Sequence, residues 1–339
     1  MDLEDFMNKL KTIAIGVLSA VAFTAYAQAA PITVYSPQGE ERAKWITEQA
    51  KAAGHDINIL SAGGGELFDR LMAEKANPQA DVALGFIDSV MAILKSEGMF
   101  QKYVPSWADG LQDVYKGPEG MVHKFWQTPI VLAYNADSLA EADAPAGWLD
   151  LIKPQYSKKY MMRSTKSQTT RSFLVGMLVR FTNEKGEVSD EGWEFMRSFY
   201  ANGVVVNKKQ KKDAFASGEA IIDLNWFGGA KKQSKTLGYK LKMVDTKGGT
   251  PFISEGVAIL TGTDLLAESK AFVDWFGSPA FMIAYAEKFG QAPVHPDAVA
   301  GSPDAVKADA ALLTPQPIDW DAVAPKIDGW MQKIELEIR

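Results

Sequence analysis

Five hydroxyl residues, Ser164, Thr165, Ser167, Thr169 and Thr170, fall within seven positions, with Arg163, Lys166 and Arg171 beside them. An apolar run from Ser172 to Phe181 follows and reads as a helix. Hydroxyl donors, the free N–H groups of a helix start and guanidinium groups together suit a phosphate or another small anion. One Ser or Thr would serve as a helix cap and leave the rest as solvated loop; five exceed what a cap needs. A second anion-suited turn runs from Ser61 to Gly65, between a predicted strand (Ile57 to Leu60) and a predicted helix (Glu66 to Ala76). Gly63, Gly64 and Gly65 keep side chains off the main chain there, so a ligand can approach its amides. Two glycines would already satisfy a compact strand-to-helix connection.

Further candidates stand alone in the chain. Ser36 ends the first predicted strand, where ligands of open sheets gather; equally, its hydroxyl can serve a local turn. Asn225 and Trp226 open a loop before a helix and offer an amide and a flat indole face to an organic ligand. Trp126 begins a long strand and is a candidate cleft wall, although large aromatics belong more often to cores. Glu255 precedes Gly256 on another long strand and is a candidate acceptor for sugar hydroxyls, or a plain surface residue. The basic run Lys208, Lys209, Lys211 and Lys212 reads as a solvated face. Glu40 and Glu41 fit a helix start, where negative charge is favoured. Catalytic spacing is absent: the chain has no G-x-S-x-G elbow, P-loop, H-E-x-x-H or EF-hand loop.

The elements that must position these residues alternate between strand and helix. Ile32 to Ser36 is a strand, Glu40 to Ala53 a helix, Asp81 to Gly85 a strand and Asp88 to Glu97 a helix. His123 to Asn135 and Phe252 to Leu260 are nearly continuous strands, long enough to pass from one lobe to another. A second α/β region lies between them: strands at Lys159 to Met162, Val204 to Val206, Ala220 to Leu224 and Lys240 to Val244, with helices at Asp190 to Asn202 and Lys212 to Ser217. Helices at Leu265 to Phe276, Pro279 to Phe289 and Asp321 to Ile338 close the chain. Two α/β halves joined by two crossings predict a bilobal protein with a cleft; the alternative is one larger doubly wound sheet.

The N-terminus reads as a secretory signal peptide: a basic segment at Asn8 to Lys11, an apolar stretch from Ile13 to Tyr26, and the small-residue site Ala27-Gln28-Ala29. Cleavage is expected near Ala29 or Ala30, giving a periplasmic protein; an uncleaved anchor is the alternative. Met7 offers a second possible start. No later run reaches the roughly 20 apolar residues of a membrane span. The whole chain carries 36 basic and 42 acidic residues. Removing 1–30, with two lysines and three acids, leaves 34 against 39 and a net charge of −5, which argues against nucleic-acid binding. There is no cysteine, so an exported chain has neither disulfides nor thiolate metal sites.

Three segments carry a resemblance over nearly the whole chain after residue 30. They are Ile32-Thr33-Val34-Tyr35-Ser36; Gly65-Glu66-Leu67-Phe68-Asp69-Arg70-Leu71 with Asn77-Pro78-Gln79-Ala80-Asp81-Val82; and Ala216-Ser217-Gly218-Glu219-Ala220-Ile221 with Gly249-Thr250-Pro251 and Glu255-Gly256-Val257-Ala258. The chain resembles the extracellular solute-binding proteins of ABC importers with the type II periplasmic-binding fold, in the branch of ferric-ion, sugar-phosphate and phosphonate binders. The resemblance implies two lobes, each a mostly parallel sheet flanked by helices, on a two-strand hinge: 31–130 plus 256–300, and 131–255 plus 301–339. It implies a monomer that closes on its solute, has no cofactor, and hands the solute to a membrane permease. Ferric binders of this branch carry adjacent tyrosines where this chain has Asn225-Trp226-Phe227, so a phosphorylated solute such as a hexose phosphate is expected before iron or a metal chelate. An exported phosphate-ester hydrolase is the reading from another class.

Overall fold

The computed structural model describes residues 30–339; the expected signal peptide lies outside the described residues. In chain order the elements are β1 (Ile32–Ser36), α1 (Glu40–Ala52), β2 (Ile57–Ser61), α2 (Gly64–Ala73), β3 (Val82–Ile87), α3 (Asp88–Ser96) and β4 (His123–Asn135). They continue with β5 (Met161–Met162), α4 (Gln168–Leu178), α5 (Asp190–Asn202), β6 (Val204–Val205), α6 (Lys208–Ser217), β7 (Ile222–Trp226), α7 (Phe227–Leu237), β8 (Leu241–Met243) and β9 (Phe252–Ile259). The last are α8 (Leu266–Phe276), α9 (Pro279–Phe289), β10 (Ala292–Pro293), α10 (Pro296–Gly301), α11 (Asp304–Ala311) and α12 (Trp320–Lys333).

Both long strands cross as their sequence predicts. β4 pairs antiparallel with β9 from His123 to Pro129, then exchanges partners. From Ile130 onward it pairs with β7 and β8, both antiparallel. The change falls where Pro129 faces Phe252, and the Ile130 N–H donates to the Pro251 carbonyl at 2.8 Å. The first half of β4 sends Phe125 and Trp126 into a core with Ile32, Val34, Val82 and Val257. Its second half sends Ile130, Leu132 and Tyr134 into another, with Phe173, Phe199, Leu224 and Trp330. Val131 and Ala133, pointing to the opposite face, meet Ala230 and Leu313. A strand covered on both faces reads as a continuous apolar run rather than an alternating one, which is why His123 to Asn135 is legible from sequence.

The two lobes are α/β, but their sheets are mixed rather than mostly parallel. β1 pairs parallel with β2 and β3, while β3 meets β9 antiparallel. In the second lobe the pairings of β4 with β7 and β8 are antiparallel, while the short β5–β6 pair and the single bridge from Tyr160 to Ile222 are parallel. The antiparallel pairs come from the crossing strands. A chain that leaves a lobe along one strand and returns beside it must run the opposite way.

The crossing is braced by a close approach at Gly176 of α4. A Cβ built there would lie 2.2 Å from Pro251 Cγ. The Gly176 carbonyl accepts from Gln316 Nε2 at 2.9 Å. Arg180, one turn on, donates to the Gly249 carbonyl at 2.6 Å and so fixes the turn that leads into β9. Alanine in a helix interior normally gains about 1 kcal/mol over glycine. Here Gly176→Ala is expected to lose about 1–3 kcal/mol through overpacking against Pro251. Thermal unfolding monitored by circular dichroism checks this, and a raised Tm would contradict the packing argument.

Candidate functional site

On the first lobe the turn after β1 carries a polar net. Gly39 adopts φ +81°, in the left-handed region that glycine tolerates, and the turn lays Gln38 over β3. A Cβ at Gly85, also left-handed, would be 2.6 Å from Gln38 Nε2. Gln38 donates that amide to Glu255 and accepts from Tyr285 OH at 2.9 Å. Arg42, one turn into α1, donates to Gln38 Oε1 at 3.3 Å and to Gln291 Oε1 at 3.2 Å. Gln291 in turn donates to Thr128 at 2.7 Å. Trp126 stacks on Tyr285 with ring centroids 3.9 Å apart and donates its indole N–H to Glu255 at 2.6 Å. Burial pushes the Glu255 carboxyl above the ordinary glutamate range, with Trp126, Arg42 and Gln38 opposing the shift.

On the second lobe a cavity of about 520 Å³ opens at the N-terminus of α4. Ser167 is the residue before the first helical turn, and no side chain caps that end, so the first amides of α4 remain free. Ser167, Thr169 and Thr170 line the cavity. Among the described residues their hydroxyls make no hydrogen bond within the protein, although Ser167 is 6% and Thr170 2% exposed. Their hydroxyl oxygens are not among the buried polar atoms that lack a partner, so they open onto the cavity, where water or a solute can serve them.

Opposite them, β7 ends on Asn225 and Trp226. Asn225 Oδ1 accepts the Trp226 N–H at 3.0 Å and its Nδ2 donates to Asp223 at 3.2 Å. The indole lies on the first turn of α7, 40% exposed. A Cβ at Gly228 or Gly229 would sit 2.4 or 2.5 Å from the ring, so both glycines are needed for that pose. Lys208, Lys211 and Lys212 also line this cavity. Lys208, Lys209 and Lys212 are solvent-exposed, as a solvated lysine face predicts, while Lys211 is half-buried. α6 begins at Lys208 under an Asn207–Gln210 capping box, and positions 208, 211 and 212 then share one helix face. Lys209 turns away to Asp213 at 3.7 Å. Lys211 is committed to the fully buried Asp223 at 3.0 Å.

The expected site residues divide in three. Ser167, Thr169, Thr170, Asn225 and Trp226 converge on this cavity. The Gly63-Gly64-Gly65 turn meets α4 from the other lobe: a Cβ at Gly64 would be 2.5 Å from Gln168 Nε2. Gly65 borders a second cavity of about 320 Å³ with Gln168, Arg171 and Trp320. The tips of α2 and α4 therefore abut. The remaining residues are engaged elsewhere. Trp126, 1% exposed, is a core residue that orients Glu255 and not a cleft wall. Thr165 is taken by Glu335 of the C-terminal turn at 2.6 Å. Ser164 accepts the Ser167 N–H through its carbonyl at 3.0 Å, closing the turn before α4. Ser36 is fully buried and accepts the Gln38 N–H at 3.4 Å. Glu255 is engaged by Gln38 and Trp126.

The signal for Gln38 was its place just after β1, beside Ser36. Tyr285 and Gln291 carried none, since their partners lie more than 150 positions away in sequence, and neither did the bond from Arg42 to Gln291, 249 positions apart.

Glu255 yields a signed pH prediction. Its folded-state value is raised, so the folded chain holds this proton more tightly than the unfolded one. The associated stability is full below the ordinary glutamate value of 4.5 and is lost as pH rises through the higher folded value. Glu255→Gln removes that loss while keeping an acceptor for one donor. Its Tm relative to the parent chain is expected to rise from pH 4.5 to neutrality. A Tm difference independent of pH would refute the burial argument.

Among the described residues no helix is long and apolar enough to cross a membrane. Residues 77–324 match the family of bacterial extracellular solute-binding proteins. A probable ABC transporter periplasmic-binding protein of Sinorhizobium fredii is 61% identical over 95% of this chain and 90% of its own length. Iron-bound HitA from Pseudomonas aeruginosa superposes with a TM-score of 0.77 at 20% identity, covering 91% of this chain and 100% of that one. AfuA from Actinobacillus pleuropneumoniae, with exogenous fructose-6-phosphate bound, superposes with a TM-score of 0.70 at 19% identity over 90% and 99%. The two-lobed fold is that of periplasmic binding proteins, and the chain belongs to the bacterial extracellular solute-binding proteins.

Proposed function

We propose that this solute-binding protein captures a small phosphorylated solute, of the hexose-phosphate class, and delivers it to the membrane permease of an ABC importer. The observation that carries the reading is the free N-terminus of α4 with Ser167, Thr169 and Thr170 facing a cavity that also holds Asn225 and Trp226. Helix-start amides and hydroxyls match the oxygens of a phosphate. The indole offers a stacking face to a sugar ring, and the amide serves its hydroxyls. The relative from Sinorhizobium fredii supports the transport assignment, and the neighbour bound to fructose-6-phosphate is in keeping with the solute class.

The mechanism in this reading is hinge closure about β4 and β9. A first lobe of 31–130 plus 256–300 closes on a second of 131–255 plus 301–339. Solute held on the second lobe favours the closed form by whatever contacts it gains from the first. Export by a signal peptide cleaved near Ala29 or Ala30, and action as a periplasmic monomer, complete the proposal.

Iron is disfavoured on electrostatic grounds. Arg163, Lys208 and Lys212 border the cavity and repel a trivalent cation, and Asn225-Trp226 offers no phenolate. Among the described residues no three His, Cys, Asp or Glu groups converge on a point.

Calorimetric titration with fructose 6-phosphate, glucose 6-phosphate and the two free hexoses tests the reading. At least one phosphate ester is expected to bind and its free sugar not. Thr170→Val is expected to weaken that ester about 10- to 100-fold, as loss of one or two hydrogen bonds to a charged group does. Binding of free hexose as tightly as its phosphate, or stoichiometric iron in the freshly purified chain, would overturn it.

A further inference from the structure

The charge of the second-lobe cavity exceeds what one phosphate needs. Arg163, Lys208, Lys211, Lys212 and Lys232 all border it. Asp223 neutralises Lys211 at 3.0 Å. Among the described residues the other four have no carboxylate within ion-pair distance, whereas neighbouring lysines do: Lys209 pairs with Asp213 and Lys231 with Asp309. Four unneutralised cations around one cavity repel one another, and the chain as a whole is acidic. All four are solvent-exposed, so water and salt screen that repulsion; together they raise the local concentration of anions at the cavity mouth.

Most of the cations come from different elements of the fold than the hydroxyl cradle, around the same cavity. Ser167, Thr169 and Thr170 belong to the start of α4, whereas Lys208 and Lys212 come from α6 and Lys232 from α7. Ser167 and Thr170 are nearly buried residues whose hydroxyls, among the described residues, have no protein partner and open onto the cavity, which independently points to a ligand at the α4 end. One anionic group docked on α4 would leave the α6 and α7 cations unmatched. The volume of about 520 Å³ lies within the usual range for sites of small organic ligands.

We infer that the solute carries two separated anionic groups, in the class of bisphosphorylated sugars. One phosphate takes the α4 amides and hydroxyls, and the second takes the ammonium groups of Lys208, Lys212 and Lys232. This rests on the reading of the cavity as the solute site and narrows its ligand class. It also accounts for the lysine run, since α6 becomes a charge-selective rim on which the exposed Lys208 and Lys212 border the cavity while Lys209 lies off it.

The test is calorimetric titration of the purified, dialysed chain with fructose 1,6-bisphosphate, fructose 6-phosphate and inorganic phosphate at about 0.15 M salt, where exposed long-range attraction is largely screened. The bisphosphate is expected to bind at least about tenfold more tightly than the monophosphate. The double variant Lys208→Gln/Lys212→Gln is expected to bring that ratio near one. Lys209→Gln, a control for the general loss of one charge from the same helix, is expected to preserve it. Circular dichroism establishes that each variant folds. A ratio near one in the parent chain, or a ratio that survives the double variant, overturns the inference and leaves the monophosphate reading standing. Failure of both sugar phosphates to bind overturns both together.

Discussion

The structure depends on one shared strand. β4 serves two sheets in succession, and its change of partner at Pro129 and Ile130 is what divides the chain into lobes. Proline has no N–H to give, so the ladder has a natural interruption at residue 129. The next donor, Ile130, goes to the Pro251 carbonyl just before β9 begins. A buried antiparallel pair resists stretching along its length but permits twist and bend. Both faces of the cleft hang from this pair. Thr128 and Glu255 hold the first-lobe net, and β7, which carries Asn225 and Trp226, is paired to the far half of β4. Any change in the angle between the lobes is therefore transmitted to the candidate site without an intermediary.

Asp88 strengthens this arrangement. It opens α3, is buried, and takes the Ser254 N–H of β9 at 2.5 Å and the Lys124 ammonium of β4 at 2.7 Å. One carboxylate thus ties a helix start to both crossing strands. Burial pushes its carboxyl above the ordinary aspartate range, while Lys124 draws it back. Removing one partner of such a pair leaves an uncompensated buried charge, usually a loss of about 3–5 kcal/mol. The hinge region is accordingly rigid on the first-lobe side, where Asp88 acts. On the second-lobe side it is held by Arg180 and Gln316, through backbone carbonyls of the Gly249 turn and α4.

Sequence reasoning reached those parts of the fold that local pattern controls. β4 at His123–Asn135, α5 at Asp190–Asn202 and α9 at Pro279–Phe289 fall where their apolar periodicity and end signals put them. It went astray where two local rules competed. The hydroxyl run before α4 reads as loop because Ser and Thr compete for backbone hydrogen bonds. In the structure the helix starts at Gln168, and Thr169 and Thr170 form its first turn. The four lysines read as solvated because charge runs usually are, and three of them are exposed; what the run did not show is that the Asn207–Gln210 capping box starts α6 at Lys208 and sets Lys208, Lys211 and Lys212 along the edge of one cavity. Trp126 shows the third kind of miss. Its place on a crossing strand was legible, but whether it faced the cleft or the core depended on Tyr285, 159 positions later, stacked against it.

The two faces of the cleft differ in what they leave unsatisfied, and this orders the binding event under the proposed function. First-lobe polar groups are largely spent on one another: Gln38 between Glu255 and Tyr285, Arg42 between Gln38 and Gln291, and Gln291 on Thr128. Among the described residues, no side chain caps the donors at the α4 start on the second lobe. An anion entering the cleft therefore gains most of its hydrogen bonds from the second lobe and disturbs little there. Under the proposed function, contact with the first lobe would come through the main-chain amides at Gly63 to Gly65, where the Gln168 side chain of α4 already packs against Gly64. Free energy gained on the second lobe is the same in the open and closed forms and cannot drive closure. Only the smaller set of contacts to the α2 tip distinguishes the two forms. Under the proposed function, the three adjacent glycines, which look at first like a simple turn, would be the part of the site that couples solute to hinge.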